Sequence, residues 1–371
     1  MHILLAPDSF KESLSAKQVA EALKKGFQEA LPDATFDLLP IGDGGEGTME
    51  TLARVLNVTE YQTQVTGPFG QPVLMSYYQK DEMAFFELAS LVGLGSIPAE
   101  KRNPLELETR GIGELILQLV DQGVKTICVG IGGSATNDGG IGMAAGLGVA
   151  FYDDQGHMLR PVGASIGRVD RIDTSAVPKA LQDIELQVLT DVTNPLCGSQ
   201  GATYIFGGQK GLNPLLFPAV DQAMEDFYQL VDPRILSMAG VGAGGGMAAG
   251  LVAFAGGQIS SGIEKSLDLI DFDTKVQKAD LVVVGEGRMD LQSLSGKAPV
   301  GVAKRTPEKI PVLAICGALA EDLPAFPSHH IEAAFSIVPG PCEVADALTH
   351  AEKNLISCAR NIGNLLKMKA N

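Results

Sequence analysis

The sequence predicts an α/β fold in two domains, and three observations carry that reading. Short runs of β-branched and aliphatic residues recur, each followed by a polar glycine-rich stretch and then by a segment of helical periodicity, the strand–loop–helix grammar of a parallel sheet. The chain has 371 residues, more than one ordinary domain. The grammar is clear at both ends of the chain and changes in the middle.

The elements follow in order. "HILLAPDSF" opens with a first strand. "SLSAKQVAEALKKGFQEAL" is a helix, because Ser15 and Gln18 make a capping box and Val19, Leu23, Phe27 and Leu31 repeat every four residues. "TFDLLPI" is a second strand, "GDGGEGT" a loop and "METLARVL" a helix. From "QVTGPFGQPVLMSYYQKDEMAFFELAS" the chain alternates and turns, as antiparallel strands do. "KTICVG" is a β-branched run, "GIGGSATNDGG" a loop, and "IGMAAGLGVA" a small-residue run suited to close packing. "FYDDQGHML" turns at Asp154, Gln155 and Gly156.

Near the end, "ADLVVVGEGRMD" is a strand and its loop, "APVGVAKRT" a short helix, and "KIPVLAICG" and "AAFSIV" further buried strands. The closing stretch "CEVADALTHAEKNLISCARNIGNLLKMKA" reads as one helix with Val344, Leu348, Ala351, Leu355, Ile362 and Leu366 on its apolar stripe. The parsing is a Rossmann- or flavodoxin-like domain from residues 1–65 and 271–371, with a mixed α/β domain of residues 66–270 inserted into it. Two crossings would make a hinged cleft, a common place for a ligand.

Composition narrows the classes. The chain is 45% hydrophobic and 19% charged, so it can bury substantial cores. No apolar run is long enough for a transmembrane helix, and "MHILLAPDSF" lacks the basic start of a signal peptide. Cys128, Cys197, Cys316, Cys342 and Cys358 are scattered without metal or redox spacing, as in a reduced cytoplasmic protein. The net charge of −16 repels nucleic acid and anionic lipid, so neither is expected as a partner. It also makes cations inside glycine loops informative, since an anionic ligand needs a local cationic pocket.

Four such loops follow strands, at the edge where open α/β sheets bind ligands. In "APDSFKESLSA", Lys11 stands near Asp8 and Ser9, which suits a phosphate or carboxylate. In "GDGGEGT", Asp43 and Glu46 flank Gly44 and Gly45, which suits a metal ion or a general base. In "GIGGSATNDGG", Gly132 and Gly133 let backbone N–H groups approach an anion, and Ser134, Thr136, Asn137 and Asp138 add polar groups; capping of the next helix competes with that reading. The loop also fits G-x-G-x-x-A, but Asp153 and Asp154 fall in a turn, which weakens a dinucleotide reading. "GEGRMDLQSLSGKAP" is densest in charge, with Glu286, Arg288, Asp290 and Lys297. "LTDVTNPLCGSQGATYIFGGQKG" adds Asp191, Asn194, Gln209 and Lys210. Cations that stabilise a transferring phosphoryl group, with carboxylates for metal or proton, point to phosphoryl chemistry on a small anion.

Taken together, "APDSFKESLSA", "PIGDGGEGT", "NPLELETRGIGELI", "GIGGSATNDGGIGMAAGLG", "DVTNPLCGSQGATYIFGGQKG" and "ADLVVVGEGRMDLQSLSGKAPVGVA" resemble the bacterial type-1 glycerate kinases, in order across nearly the whole chain. Glu12 and Gly42 depart from that family, which more often has Gly and Ala there. The resemblance implies two α/β domains with the active site in the cleft between them, MgATP as phosphoryl donor and D-glycerate as acceptor, with 2-phosphoglycerate favoured over the 3-isomer. On that reading Arg288 or Lys11 anchors the substrate carboxylate, and Asp43 or Asp191 is the base. Asp191, Glu286 and Asp290 are available to Mg2+, and Lys297 or Lys210 would meet the γ-phosphate. Asp8, Ser9, Gly44, Gly45, Glu46, Gly132, Gly133, Ser134, Asn137, Asp138, Asn194 and Gln209 are the further binding candidates. Two rival functions are a nicotinamide-dependent oxidoreductase of a small hydroxy acid and a non-catalytic carboxylate sensor. A homo-oligomer is left open.

Overall fold

The structure, a computed structural model, describes residues 1–42, 47–294 and 296–369. The chain divides into two compact units. The first comprises Met1–Asp43, Glu50–Asn57 and Gly262–Asn371; the second comprises Gly44–Met49 and Val58–Ser261.

In the first unit, five strands among the described residues form one sheet, and all their pairings are parallel. In chain order they are His2–Pro7, Thr35–Leu38, Leu281–Gly285, Val312–Cys316 and Ala333–Ser336. Across the sheet they lie in the order 2-1-3-4-5. The central strands "HILLAP" and "LVVVG" are buried along nearly their whole length, because a parallel sheet is covered on both faces and its strands read as continuous apolar runs. Ile3, Leu5 and Val283 pack with Val19, Leu23 and Phe27 of helix Ala16–Ala30 and with Leu355 and Ala359 of helix Ala351–Lys369. Helix Ala298–Arg305 packs against strands His2–Pro7 and Leu281–Gly285. The capping box is present: the Gln18 N–H donates to Ser15 Oγ at 3.4 Å and the Ser15 N–H donates to Gln18 Oε1 at 2.9 Å.

The closing helix is not continuous. It is Val344–Thr349 and then Ala351–Lys369, separated at His350. Ala351, Leu355 and Ile362 are buried as the stripe requires, but Val344 is 74% exposed and Leu348 half-buried. The break turns the first piece of the stripe away from the core.

The second unit carries a six-stranded mixed sheet among the described residues. Thr59–Thr66, Pro72–Lys80 and Met83–Glu87 form an antiparallel meander. Thr126–Gly130, Glu185–Leu189 and Gln258–Ser260 then add in parallel. Its core joins Phe86, Ile127 and Val129 to Leu115 and Leu119 of helix Arg110–Asp121, Met143 of helix Ile141–Gly146, and Met247 and Leu251 of helix Met247–Ala255. The turn at Asp154–Gly156 is present, with Gly156 at φ +81° and Asp153 accepting the N–H groups of Gln155 and His157. Among the described residues no helix is long and apolar enough to cross a membrane.

Candidate active site

In a sheet of order 2-1-3-4-5 the chain reverses direction between strands 1 and 3, and the loops leaving their carboxyl ends part there and open a crevice. In the first unit those strands are His2–Pro7 and Leu281–Gly285, with Pro7 paired to Gly285. The loops that leave them begin with Asp8 and Glu286. The Asp8 N–H donates to the Gly285 carbonyl at 2.8 Å, and Asp8 Oδ1 accepts the Ser9 N–H at 2.6 Å. The Gly317 N–H donates to the Glu286 carbonyl at 3.0 Å, tying in a third loop. Gly317 is required for that approach, since a Cβ there would lie 2.2 Å from the Gly287 carbonyl oxygen.

These loops line a pocket of about 760 Å³. Its charged lining is Lys11, Arg288 and Lys297 with Asp8, Glu12 and Glu286, and Ser9 lies in the same lining. Lys297 is also the residue before helix Ala298–Arg305, and its ammonium lies 3.4 Å from Gln292 Oε1. The pocket thus gathers cations from positions far apart in the sequence, in a protein whose net charge is −16. Asp290 does not line it. Its Oδ1 accepts the N–H groups of Gln292 and Ser293 at 2.9 and 3.1 Å, which caps the turn Leu291–Leu294.

The glycine loop of the second unit is built differently. Ser134, Asn137 and Asp138 are buried, while Gly132 and Gly133 are half-buried. Thr109 Oγ1 donates to Asp138 Oδ2 at 2.6 Å and accepts the Met143 N–H at 3.0 Å. The Gly140 N–H donates to Asp138 Oδ1, Asn137 Nδ2 donates to Thr203 Oγ1, and the Tyr228 hydroxyl donates to the Gly139 carbonyl. The glycine run 242–246 packs directly on this loop. At Gly245, with φ +72°, a Cβ would lie 2.1 Å from the Thr136 carbonyl oxygen.

Lys210 is 3% exposed and reaches into the same cluster, donating to Ser134 Oγ at 3.1 Å and to the Thr136 carbonyl at 2.7 Å. Burial pushes its ammonium down to about 7, against the opposing pull of the Asp138 charge. Burial likewise raises the Asp138 carboxyl above its ordinary value, against the hydrogen bonds it accepts.

Of the remaining candidates, Asp191 is half-buried in the second unit, where its Oδ1 accepts from Ser261 Oγ at 3.1 Å. Asn194 Nδ2 donates to the Gln200 carbonyl, and Gln209 is exposed. Asp43, Gly44, Gly45 and Glu46 lie outside the described residues. Among the described residues no three His, Cys, Asp or Glu side chains converge at metal-binding spacing. Sequence reasoning missed Glu87, which ends strand Met83–Glu87 and accepts the N–H groups of Gly47 and Met49 at 3.1 and 2.8 Å, fixing the chain just after the "GDGGE" stretch. A strand-ending glutamate in "FFELAS" carries no local signal, because its partners lie far away in sequence.

The profile of the glycerate kinase family matches residues 3–367. A glycerate kinase of Neisseria meningitidis serogroup B (strain MC58) is 56% identical over 99% of both chains. The glycerate 2-kinase of Escherichia coli K12 is 40% identical, over 99% of this chain and 98% of that protein. The crystal structure of a candidate glycerate kinase 2 from Salmonella typhimurium LT2 superposes with a TM-score of 0.85 at 40% identity, covering 100% of this chain and 99% of that one. A family match over nearly the whole chain, agreeing with the charged pocket at the switch point, places this protein: it belongs to the glycerate kinase family.

Proposed function

We propose that the protein transfers the γ-phosphoryl group of MgATP to D-glycerate and releases ADP and 2-phosphoglycerate. The observation that carries this reading is the gathering of Lys11, Arg288 and Lys297 around one pocket at the switch point, in a chain of the glycerate kinase family. Phosphoryl transfer is mainly a matter of positioning and charge stabilisation. A hydroxyl oxygen of glycerate attacks the γ-phosphorus while the bond to the β,γ-bridging oxygen breaks. The three cations hold the negative charge of phosphate and substrate, with Asp43 as the proposed acceptor of the hydroxyl proton. Magnesium enters as part of the nucleotide substrate, where it neutralises phosphate charge, and Asp8, Glu12 and Glu286 are the carboxylates that line the pocket. The free cysteines fit a reducing cytoplasm, and the acidic surface argues against nucleic acid as a partner.

Phosphorus NMR of a reaction with MgATP and D-glycerate tests the reading. A new phosphomonoester signal split as a doublet by one proton identifies the 2-isomer. A triplet would assign the 3-isomer, and no phosphomonoester would overturn the kinase reading.

A further inference from the structure

The unit-one pocket has a part of its lining that the charged groups do not explain. Ile337, Val338, Val344 and Leu348 line it as an apolar wall. Val344 and Leu348 have the helical spacing of core residues, yet the helix break at His350 leaves them on the pocket. The wall is tied to the loop that carries Lys11, because Ser13 Oγ donates to the Leu348 carbonyl at 2.7 Å. A pocket of about 760 Å³ suits a ligand far larger than a three-carbon acid. Its lining combines three cations with an apolar stretch of chain, which matches a triphosphate joined to a flat base.

Several backbone donors of the wall are already engaged or missing, and Cys342, the polar side chain beside its aliphatic residues in the lining, offers only a weakly bonding thiol. The Ile337 N–H is given to the Cys316 carbonyl at 2.9 Å, and the Val338 N–H to Ser336 Oγ at 3.3 Å. Pro339 and Pro341 have no N–H to give. The wall's aliphatic side chains carry no donor or acceptor. Adenine and guanine differ only in the polar substituents on their edges. A site that holds a ligand by apolar contact discriminates such analogues weakly, whereas one built to hydrogen-bond them rejects the wrong partner by about 10⁴-fold or more.

We propose that this pocket is the nucleotide site, with the triphosphate over Lys11, Arg288 and Lys297 and the base on the Val344–Leu348 wall, and that it selects weakly among purine nucleotides. This deepens the kinase reading above and rests on it. The test pairs wild type with Val344→Asp, a change at an exposed position that leaves the core untouched. Steady-state kinetics with MgATP and MgGTP should give kcat/KM values within about tenfold of each other in wild type. The variant should raise KM for both nucleotides by about tenfold and leave KM for glycerate within twofold. An unchanged KM for MgATP would overturn the location, and a kcat/KM for MgGTP below about a thousandth of that for MgATP would overturn the weak selection. Calorimetric titration with MgATP alone separates this inference from the kinase reading. Nucleotide binding that Val344→Asp weakens supports the pocket even if glycerate is not the acceptor, and binding that the variant leaves intact refutes it.

Discussion

Two glycine-rich strand-end loops in this protein look alike on paper and are built to opposite ends. The loop 285–299 of the first unit and the loop 130–140 of the second both follow a buried parallel strand, both combine glycine with hydroxyl and charged groups, and both precede a helix. In the first unit Arg288 and Lys297 line an open pocket. In the second, Ser134, Asn137 and Asp138 are buried and bonded to Lys210, Thr203 and Thr109. Glycine serves different ends in the two. At Gly317 it lets neighbouring loops meet beside the pocket, and at Gly245 it lets a second loop close over the polar cluster. The polar groups of one loop line a pocket, while those of the other are covered by a second glycine segment and bonded within the fold.

That contrast makes the two loops fail differently when changed. The largest effect is expected in the first unit. Lys297→Met or Arg288→Met should lower kcat/KM by about 10²-fold, about 3 kcal/mol of transition-state stabilisation, while the denaturation midpoint stays near wild type. Steady-state kinetics beside urea unfolding checks this, and a large loss of stability with normal rates would reverse the assignment. Next comes Thr109→Val, which keeps the shape but strips Asp138 of a hydrogen bond and leaves the Met143 N–H unpaired. It should lower stability by about 2 kcal/mol, with kcat of the folded fraction within a few-fold of wild type. Urea midpoints and an activity assay on the same sample would measure both.

Lys210 sharpens the comparison through pH. Its folded-state ammonium titrates near 7, whereas the unfolded chain holds that proton to about 10.5. Between those values the unfolded chain binds more protons, so this group makes stability rise with pH and fall again as pH drops toward 7. Urea midpoints should therefore increase from about pH 7 to pH 9, and Lys210→Met should flatten that slope. An equally steep slope in the variant would assign it to other groups. The smallest change expected is Asp290→Asn. Asparagine caps a turn nearly as well as aspartate, so a capping role predicts a stability change within about 0.5 kcal/mol and a kcat within threefold. A far larger drop in kcat, relieved by excess magnesium, would make Asp290 a metal ligand instead.

Much of this was legible from the residues. The strands "HILLAP" and "LVVVG" announce themselves because burial on both faces leaves no polar alternation to confuse them. The capping box of Ser15 and Gln18 is a contact within one turn, so spacing alone reveals it. The cations of the pocket stand out against an acidic chain. What could not be read depends on distance in sequence. Glu87 meets Gly47, and Thr109 meets Asp138, through folding alone. Periodicity marked Val344 and Leu348 as apolar-face residues but could not tell a core from a pocket wall, since both want the same side chains. It also could not tell that the polar groups of "GSATNDGG" would be sealed beneath the glycine run 242–246.

The most direct test of the contrast is amide hydrogen exchange read by mass spectrometry, on the free protein and with MgATP. The contrast predicts that the segments 8–14, 286–294 and 337–344 exchange readily in the free protein and become protected by nucleotide, while 134–140 is slow from the outset and unchanged. Nucleotide-dependent protection at 134–140, with none at 8–14 and 286–294, would contradict it.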